Sequence, residues 1–206
     1  MYQVDTTSSD VAMRRIICGT LTVFGCCALT LGAVRGEVAH SGAQEGITPE
    51  VVAEYVYAIV QADRTLYTTH VVERMEDLGK AVATERWKEQ GGLPLPAQML
   101  MMAGEEIAGQ GVNLRIRLAS LWPINKANGP VDDFERVGLE RVAKEPKRPY
   151  TGIITQEGKR VFKAIYADRA VTQACVACHN GYVTSGQPTL KLYDVMGGII
   201  ISFPSP

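Results

Sequence analysis

Cys175, Cys178 and His179 stand together in the run Cys175-Val176-Ala177-Cys178-His179. Two thiols three residues apart can reach the two vinyl groups of one haem, and the adjacent imidazole can meet the iron from the proximal side. Thioether bonds of this kind hold the cofactor even where the pocket is shallow. Other chemistries that use close cysteine pairs fit less well. A zinc site needs two further Cys or His ligands nearby, and outside the N-terminal run the chain offers only His40 and His70. A redox dithiol is expected at the start of a helix beside the first strand of a βαβ unit, not near the end of a chain. A disulfide framework spreads its cysteines through the fold, whereas the five here fall at Cys18, Cys26, Cys27, Cys175 and Cys178. The motif therefore points to one covalently attached haem c, held by Cys175 and Cys178, with His179 bound to its iron.

The opposite face of the iron is open to His70, to Met75, Met99, Met101, Met102 or Met196, to water, or to nothing. His70 follows Val52 by about five turns of helix, so it is read on the apolar face built by Val52, Val56, Ile59 and Leu66, pointing inward. A hydrogen-bonded core histidine would have the same placement. With a covalent haem in so small a domain, His70 is nevertheless the expected metal ligand opposite His179. Met99, Met101 and Met102 would serve equally as core filler, and His40 lies in a linker.

These groups need elements to position them. Thr48-Pro49-Glu50 is a helix start, with a capping hydroxyl, a proline in the first turn and an acid beside it. No Gly or Pro interrupts the chain from Val51 to Gly79, and Val52, Tyr55, Val56, Ile59, Leu66 and Tyr67 recur at helical spacing. A long amphipathic helix follows. After the loop Gly91-Gly92-Leu93-Pro94-Leu95-Pro96, Val112, Leu114, Ile116 and Leu118 alternate with Asn113, Arg115 and Arg117 as in a half-buried strand, the arginines reading as a solvated face. Asp132 or Asp133 can cap a short helix that carries Phe134, Val137 and Val142 and ends before Pro146. Tyr150 to Thr155 and Arg160 to Tyr166 read as a hairpin around Gln156-Glu157-Gly158-Lys159. The motif comes next, and Gly198 to Phe203 suits a last buried strand.

Upstream, Arg14-Arg15 precede Ile16 to Val34, a run without a charged residue. Its nineteen residues would span roughly 28 Å as a helix, so residues 1–36 read as a signal peptide or as a retained membrane anchor through 16–34. Lipid attachment at Cys26 or Cys27 fits less well, because Phe24 is bulky for that motif. Residues 37–47 read as a linker and 48–206 as the domain. All these readings place the domain outside the cytoplasm, in the periplasm or on the outer side of a membrane. With 21 basic and 22 acidic side chains scattered along the chain, nothing points to nucleic acid.

The segments Ala62-Asp63-Arg64-Thr65-Leu66-Tyr67-Thr68, Arg117-Leu118-Ala119-Ser120-Leu121-Trp122-Pro123-Ile124-Asn125 with Asn128, Asp132-Asp133-Phe134-Glu135 and Cys175 to His179 follow one another in this order. In them the chain resembles the PAS-like single c-haem domains found in front of bacterial sensor kinases and chemoreceptors, and as free-standing proteins in cyanobacteria. The likeness spans most of residues 48 to 203. It implies an α+β fold, a small antiparallel sheet flanked by helices, with the haem near the C-terminal end. In a free-standing member of that family a cysteine lies opposite the motif histidine. No cysteine beyond the N-terminal run can do so here, and His70 as its replacement is inferred from the residues alone.

Electron transfer, as a carrier or as a subunit of a redox complex, is the expected role. The alternative is a redox or gas sensor for NO or CO that signals through a separate partner. Sensory relatives usually continue into a span and an output domain, whereas this chain stops at Pro206. No acid–base pair or nucleophile constellation suggests an enzyme. The expected partners are a redox protein or membrane complex, with a homodimer also compatible.

Overall fold

The computed structural model describes residues 46–182 and 186–205. The N-terminal run, its three cysteines, His40 and most of the linker lie outside the described residues. Helix α1, Pro49–Leu66, opens as its sequence dictates: Thr48 accepts a hydrogen bond from the Val51 N–H at 3.5 Å, with Pro49 in the first turn. The chain then widens into a π-helical segment, Tyr67–Val72, and continues as α2, Glu73–Asp77. Gly79, at φ +61°, takes the left-handed conformation just past the end. One continuous rod was expected. The π segment, where Thr68 and Thr69 turn their hydroxyls back onto the carbonyls of Arg64 and Thr65, had no signal in the hydrophobic pattern.

A single turn, α3 (Trp87–Gln90), precedes α4, Pro96–Gly109, which contains the Met-rich stretch. The sheet comprises β1 (Arg115–Ala119), β2 (Tyr150–Gln156), β3 (Lys159–Arg169) and β4 (Val195–Pro204). Their order is β1-β4-β3-β2 and every pairing is antiparallel. The hairpin between β2 and β3 turns on Glu157 and Gly158, both at positive φ, 51° and 76°, as a two-residue turn of the primed kind requires. Helix α5, Asp133–Lys144, is capped by Asp132 and stops short of Pro146.

Helices cover both sheet faces, which explains why β3 and β4 read as nearly continuous apolar runs. On one side α1 and α4 pack Ala53 and Leu100 against Ile116, Phe162, Tyr166 and Ile199. On the other, Leu139 and Val142 of α5 meet Ile165 and Ile200. Gly138 permits that approach, since a Cβ there would stand 2.7 Å from the Tyr150 ring. The expected α+β arrangement, helices flanking a small antiparallel sheet behind a long N-terminal helix, is the one observed.

Two side-chain expectations are overturned. The apolar face expected to be buried on α1 is largely turned to solvent: Tyr55, Ile59 and Leu66 are 62%, 64% and 52% exposed, while Ala53, Arg64 and Thr68 are buried. The helix has apolar residues on two faces, and the sheet takes the one with smaller and polar members. Arg117 is not solvated either. Its guanidinium pairs with Glu135 at 2.5 Å and donates to the Gly129 carbonyl at 2.8 Å, while Lys163 reaches Glu135 at 3.0 Å and Asp132 at 2.7 Å. Glu135 and Lys163 are both buried, so each charge is tolerable only with the others.

Glu135→Ala leaves buried Lys163 with Asp132 alone and Arg117 without its carboxylate, and should cost about 3–5 kcal/mol in urea unfolding, the usual loss for one partner of a buried pair. A loss within ~0.5 kcal/mol, typical of an unremarkable surface change, would mean that the network contributes nothing.

Candidate haem site

The motif sits on α6, Gln173–Gly181, directly after β3. Thr172, itself buried, caps this helix: its hydroxyl accepts from the Cys175 N–H at 3.4 Å and lies 3.4 Å from the Cys175 sulfur. The connection is held from behind, since the Ala170 N–H donates to Asp194 and the Tyr193 N–H donates back to Ala170. Beyond the motif, Asn180 clamps Leu190 from both sides, its amide donating to the Leu190 carbonyl and accepting from the Leu190 N–H, each at 2.9 Å. The Gln187 amide donates to the His179 carbonyl at 3.0 Å. An irregular segment is thereby pinned to a rigid sheet.

Within this frame the two thiols differ. Cys175 is half-buried against Ala170, Leu190 and Met196, whereas Cys178 is exposed, and neither is in a disulfide. Desolvation pushes the Cys178 thiol above its ordinary pKa, and the negative charge that Cys175, Glu85 and Glu76 bring pushes the same way. His179 is shifted downward, chiefly by burial and also by Arg64, against the opposing pull of Asp168. The shift is toward the neutral imidazole, the form that ligates a metal.

Behind His179 lies an ion pair that sequence reasoning did not single out. Arg64 of α1 donates to Asp168 of β3 at 2.5 Å, and both side chains are 6% exposed. Burial raises the Asp168 carboxyl, while Arg64 and His179 draw it back down. Arg64 appeared in one of the segments carrying the family likeness, but its partner is 104 residues away, and no local pattern announces it.

The donor set suits a haem better than a bare metal ion. Among the described residues no group of three or more His, Cys, Asp or Glu could hold a metal, whereas two unbridged thiols and an imidazole share one helix. An open groove of about 580 Å³ runs along α1 past Tyr57, Ala58, Gln61 and Thr65. Two buried polar atoms of α1, Arg64 Nε and Gln61 Oε1, have no hydrogen-bond partner among the described residues. An unsatisfied donor of this kind suits an anionic group such as a propionate.

His70, expected to face inward, instead lies exposed in the π segment and makes no hydrogen bond or ion pair with the motif among the described residues. The reason is the face exchange on α1: His70 was phased to Val52, and Val52 itself belongs to the solvent side. Of the methionines, Met196 is buried beneath Cys175 as core, Met99 is 43% exposed, and Met75, Met101 and Met102 are half-buried.

The model of one protein family, described as Tll0287-like (Tll0287), matches residues 42–204, most of the chain. The chain belongs to the Tll0287-like family. Among solved structures it is similar to the crystal structure of the cyanobacterial heme-protein Tll0287, at 15% identity and a TM-score of 0.47, over 78% of this chain and 98% of that one. A search of the curated proteins found no match. The family agrees with the likeness read from the ordered segments.

In this Tll0287-like domain, Asp168→Ala and Arg64→Ala should each cost about 3–5 kcal/mol by leaving the other charge buried alone, and the double variant less than their sum. A double-mutant cycle with a coupling energy near zero would mean that the two side chains act independently.

Proposed function

We propose that this chain is an exported c-type cytochrome with one haem, working in electron transfer as a carrier or as a subunit of a redox complex rather than as an enzyme. The carrying observation is the motif helix: two unbridged thiols and an imidazole on one capped helix, one thiol exposed and the other seated on the sheet. In this reading Cys175 and Cys178 would hold the haem, each S–H adding across a vinyl C=C with the sulfur to one carbon and the proton to the other, and His179 would ligate its iron. The haem, once bound, supplies a one-electron iron(III)/iron(II) couple. The chain's own residues do the rest: Thr172 and Asn180 hold α6, Arg64 and Asp168 set the charge behind His179, and the exposure of Cys178 leaves that edge of the site open to a redox partner. Export is supported by Arg14-Arg15 and the apolar run to Val34.

A second reading, a redox or gas sensor acting on a separate partner, is favoured by the Arg64–Asp168 pair, which joins the surroundings of His179 to the longest helix.

Haem should stay with the polypeptide through denaturing electrophoresis and acid-acetone extraction, and should become extractable when Cys175 and Cys178 are both replaced by alanine. Retention by that double variant would overturn thioether attachment. A carrier keeps both iron ligands through reduction, so the reduced protein should bind carbon monoxide poorly. Rapid stoichiometric binding would favour the sensor. His70 is the proposed second ligand, so His70→Ala should open the iron, and unchanged oxidised and reduced spectra in that variant would point to a methionine or an open site instead.

A further inference from the structure

Thr172 is buried, and its hydroxyl has one proton to place as well as lone pairs to fill. A lone pair takes the Cys175 N–H at 3.4 Å, which is the cap of α6. Among the described residues the other side-chain atom within bonding reach of the hydroxyl is the Cys175 sulfur, also at 3.4 Å. A buried hydroxyl proton needs an acceptor, and a β-branched side chain on extended backbone, φ −139° and ψ 164°, turns little to find one elsewhere. The rest of what Cys175 touches is apolar: it packs with Ala170, Leu190 and Met196. Cys178 is exposed and has no such hydroxyl beside it among the described residues.

We propose that Thr172 is a positioning residue for haem attachment: its O–H donates to the Cys175 sulfur and holds that thiol in the orientation from which it adds to a vinyl group. The inference rests on the cytochrome reading and names the residue that prepares one of its two thiols. A sulfur with one lone pair engaged by Thr172, and with Ala170, Leu190 and Met196 packed against its side chain, keeps one lone pair for attack. Fixing that direction before the reaction is the usual way a structure favours a bond-forming step. The free lone pair forms the C–S bond to one vinyl carbon, the S–H proton is given up, and the vinyl π pair takes a proton at the other carbon. No oxidant or reductant is required. Once the thioether exists the sulfur carries no proton, so only Thr172 can donate, and the contact outlasts the reaction. Cys178 has no equivalent donor, so loss of the hydroxyl should fall on Cys175 alone.

The test uses the full chain, produced in a periplasm that attaches c-type haem, and reads the thioethers directly. The α band of the reduced pyridine complex moves to longer wavelength when a vinyl group survives, and the mass of the alkylated tryptic peptide from Ala170 to Lys191 shows which cysteine stayed free. Thr172→Val keeps the shape without the hydroxyl and should leave at least half of the attached haem bound through Cys178 alone, with Cys175 alkylated. Thr172→Ser should restore both bonds. Thr172→Asp separates the two tasks of the hydroxyl, because an aspartate caps a helix as threonine does but, when ionised, only accepts. It should keep the parent's far-ultraviolet helix signal and still leave Cys175 unreacted. Two intact thioethers in Thr172→Val or in Thr172→Asp overturn the proposal, as does failure of Thr172→Ser to restore them. A Thr172→Val protein that loses haem equally from both cysteines also overturns it, since Thr172 would then support only the fold. If Thr172→Asp does not fold, Thr172→Val and Thr172→Ser decide. A parent chain without thioethers defeats the cytochrome reading and the proposal with it, whereas a doubly attached parent with indifferent variants defeats the proposal alone.

Discussion

Arg64 and Asp168 are both buried, and neither charge is tolerable at its place without the other. One comes from the last turn of α1 and the other from the end of β3, four residues before the threonine that caps the motif helix. The pair therefore fixes how the longest helix lies on the sheet and where α6 begins. Thr172, the Ala170 connection and the Asn180 clamp then carry that position forward to Cys175, Cys178 and His179. Tyr57 adds a second anchor for α1, its ring stacked on Tyr166 of β3 with centroids 4.1 Å apart and its hydroxyl donating to the Ala167 carbonyl, beside the smaller Ala53, Val56 and Val60.

A second set of buried charges works on the opposite face. Lys163 points from β3 toward α5, between apolar Phe162 and Ala164, which point toward α1. A lysine there would be severely destabilising without Glu135 and Asp132. Asp132 shows the balance directly: partial burial would raise its carboxyl, but the hydrogen bonds from Lys163 and the Glu135 N–H, together with the nearby cations, leave it below the ordinary value. That contribution to stability is present above the carboxyl's unfolded pKa and is lost as pH falls through the lower folded one. Each face of β3 thus has its own ion-pair lock, and the strand between them is the fixed reference for the rest of the domain.

What the amino-acid order revealed was whatever is set locally. The cap at Thr48, the cap at Asp132, the turn at Glu157-Gly158 and the two thiols with their histidine all depend on neighbours within four residues, and all lie where expected. The misreadings share one cause, dependence on distant partners. Both sides of α1 carry apolar residues, and only the position of the sheet decides which is inside. Arg117 looks like a solvated strand residue until Glu135 is seen to be buried beside it. The π segment answers to threonine hydroxyls bonding back along the helix and leaves no periodic trace. His70 is exposed rather than inward because its placement was borrowed from the wrong face.

The same bracing bears on the choice between carrier and sensor. A carrier is served by a site that does not move when an electron arrives, and α6 is tied at its start by Thr172, at its end by Asn180 and from behind by the Ala170 connection. A sensor needs a route by which a change at His179 becomes a change elsewhere. The route the structure offers is short: His179 shares its electrostatic surroundings with Asp168 and Arg64, and Arg64 belongs to α1. A shift of charge at the iron would alter the balance of a buried ion pair, which responds strongly because little water screens it. Whether that alters the fold depends on whether α1 has a second stable position, and a packed helix acquires one only where a partner competes for it. The electrostatic link to His179 and the exposed residues Val52, Tyr55 and Ile59 lie on opposite sides of one helix, so what α1 touches on the side away from the sheet bears on the choice between carrier and sensor.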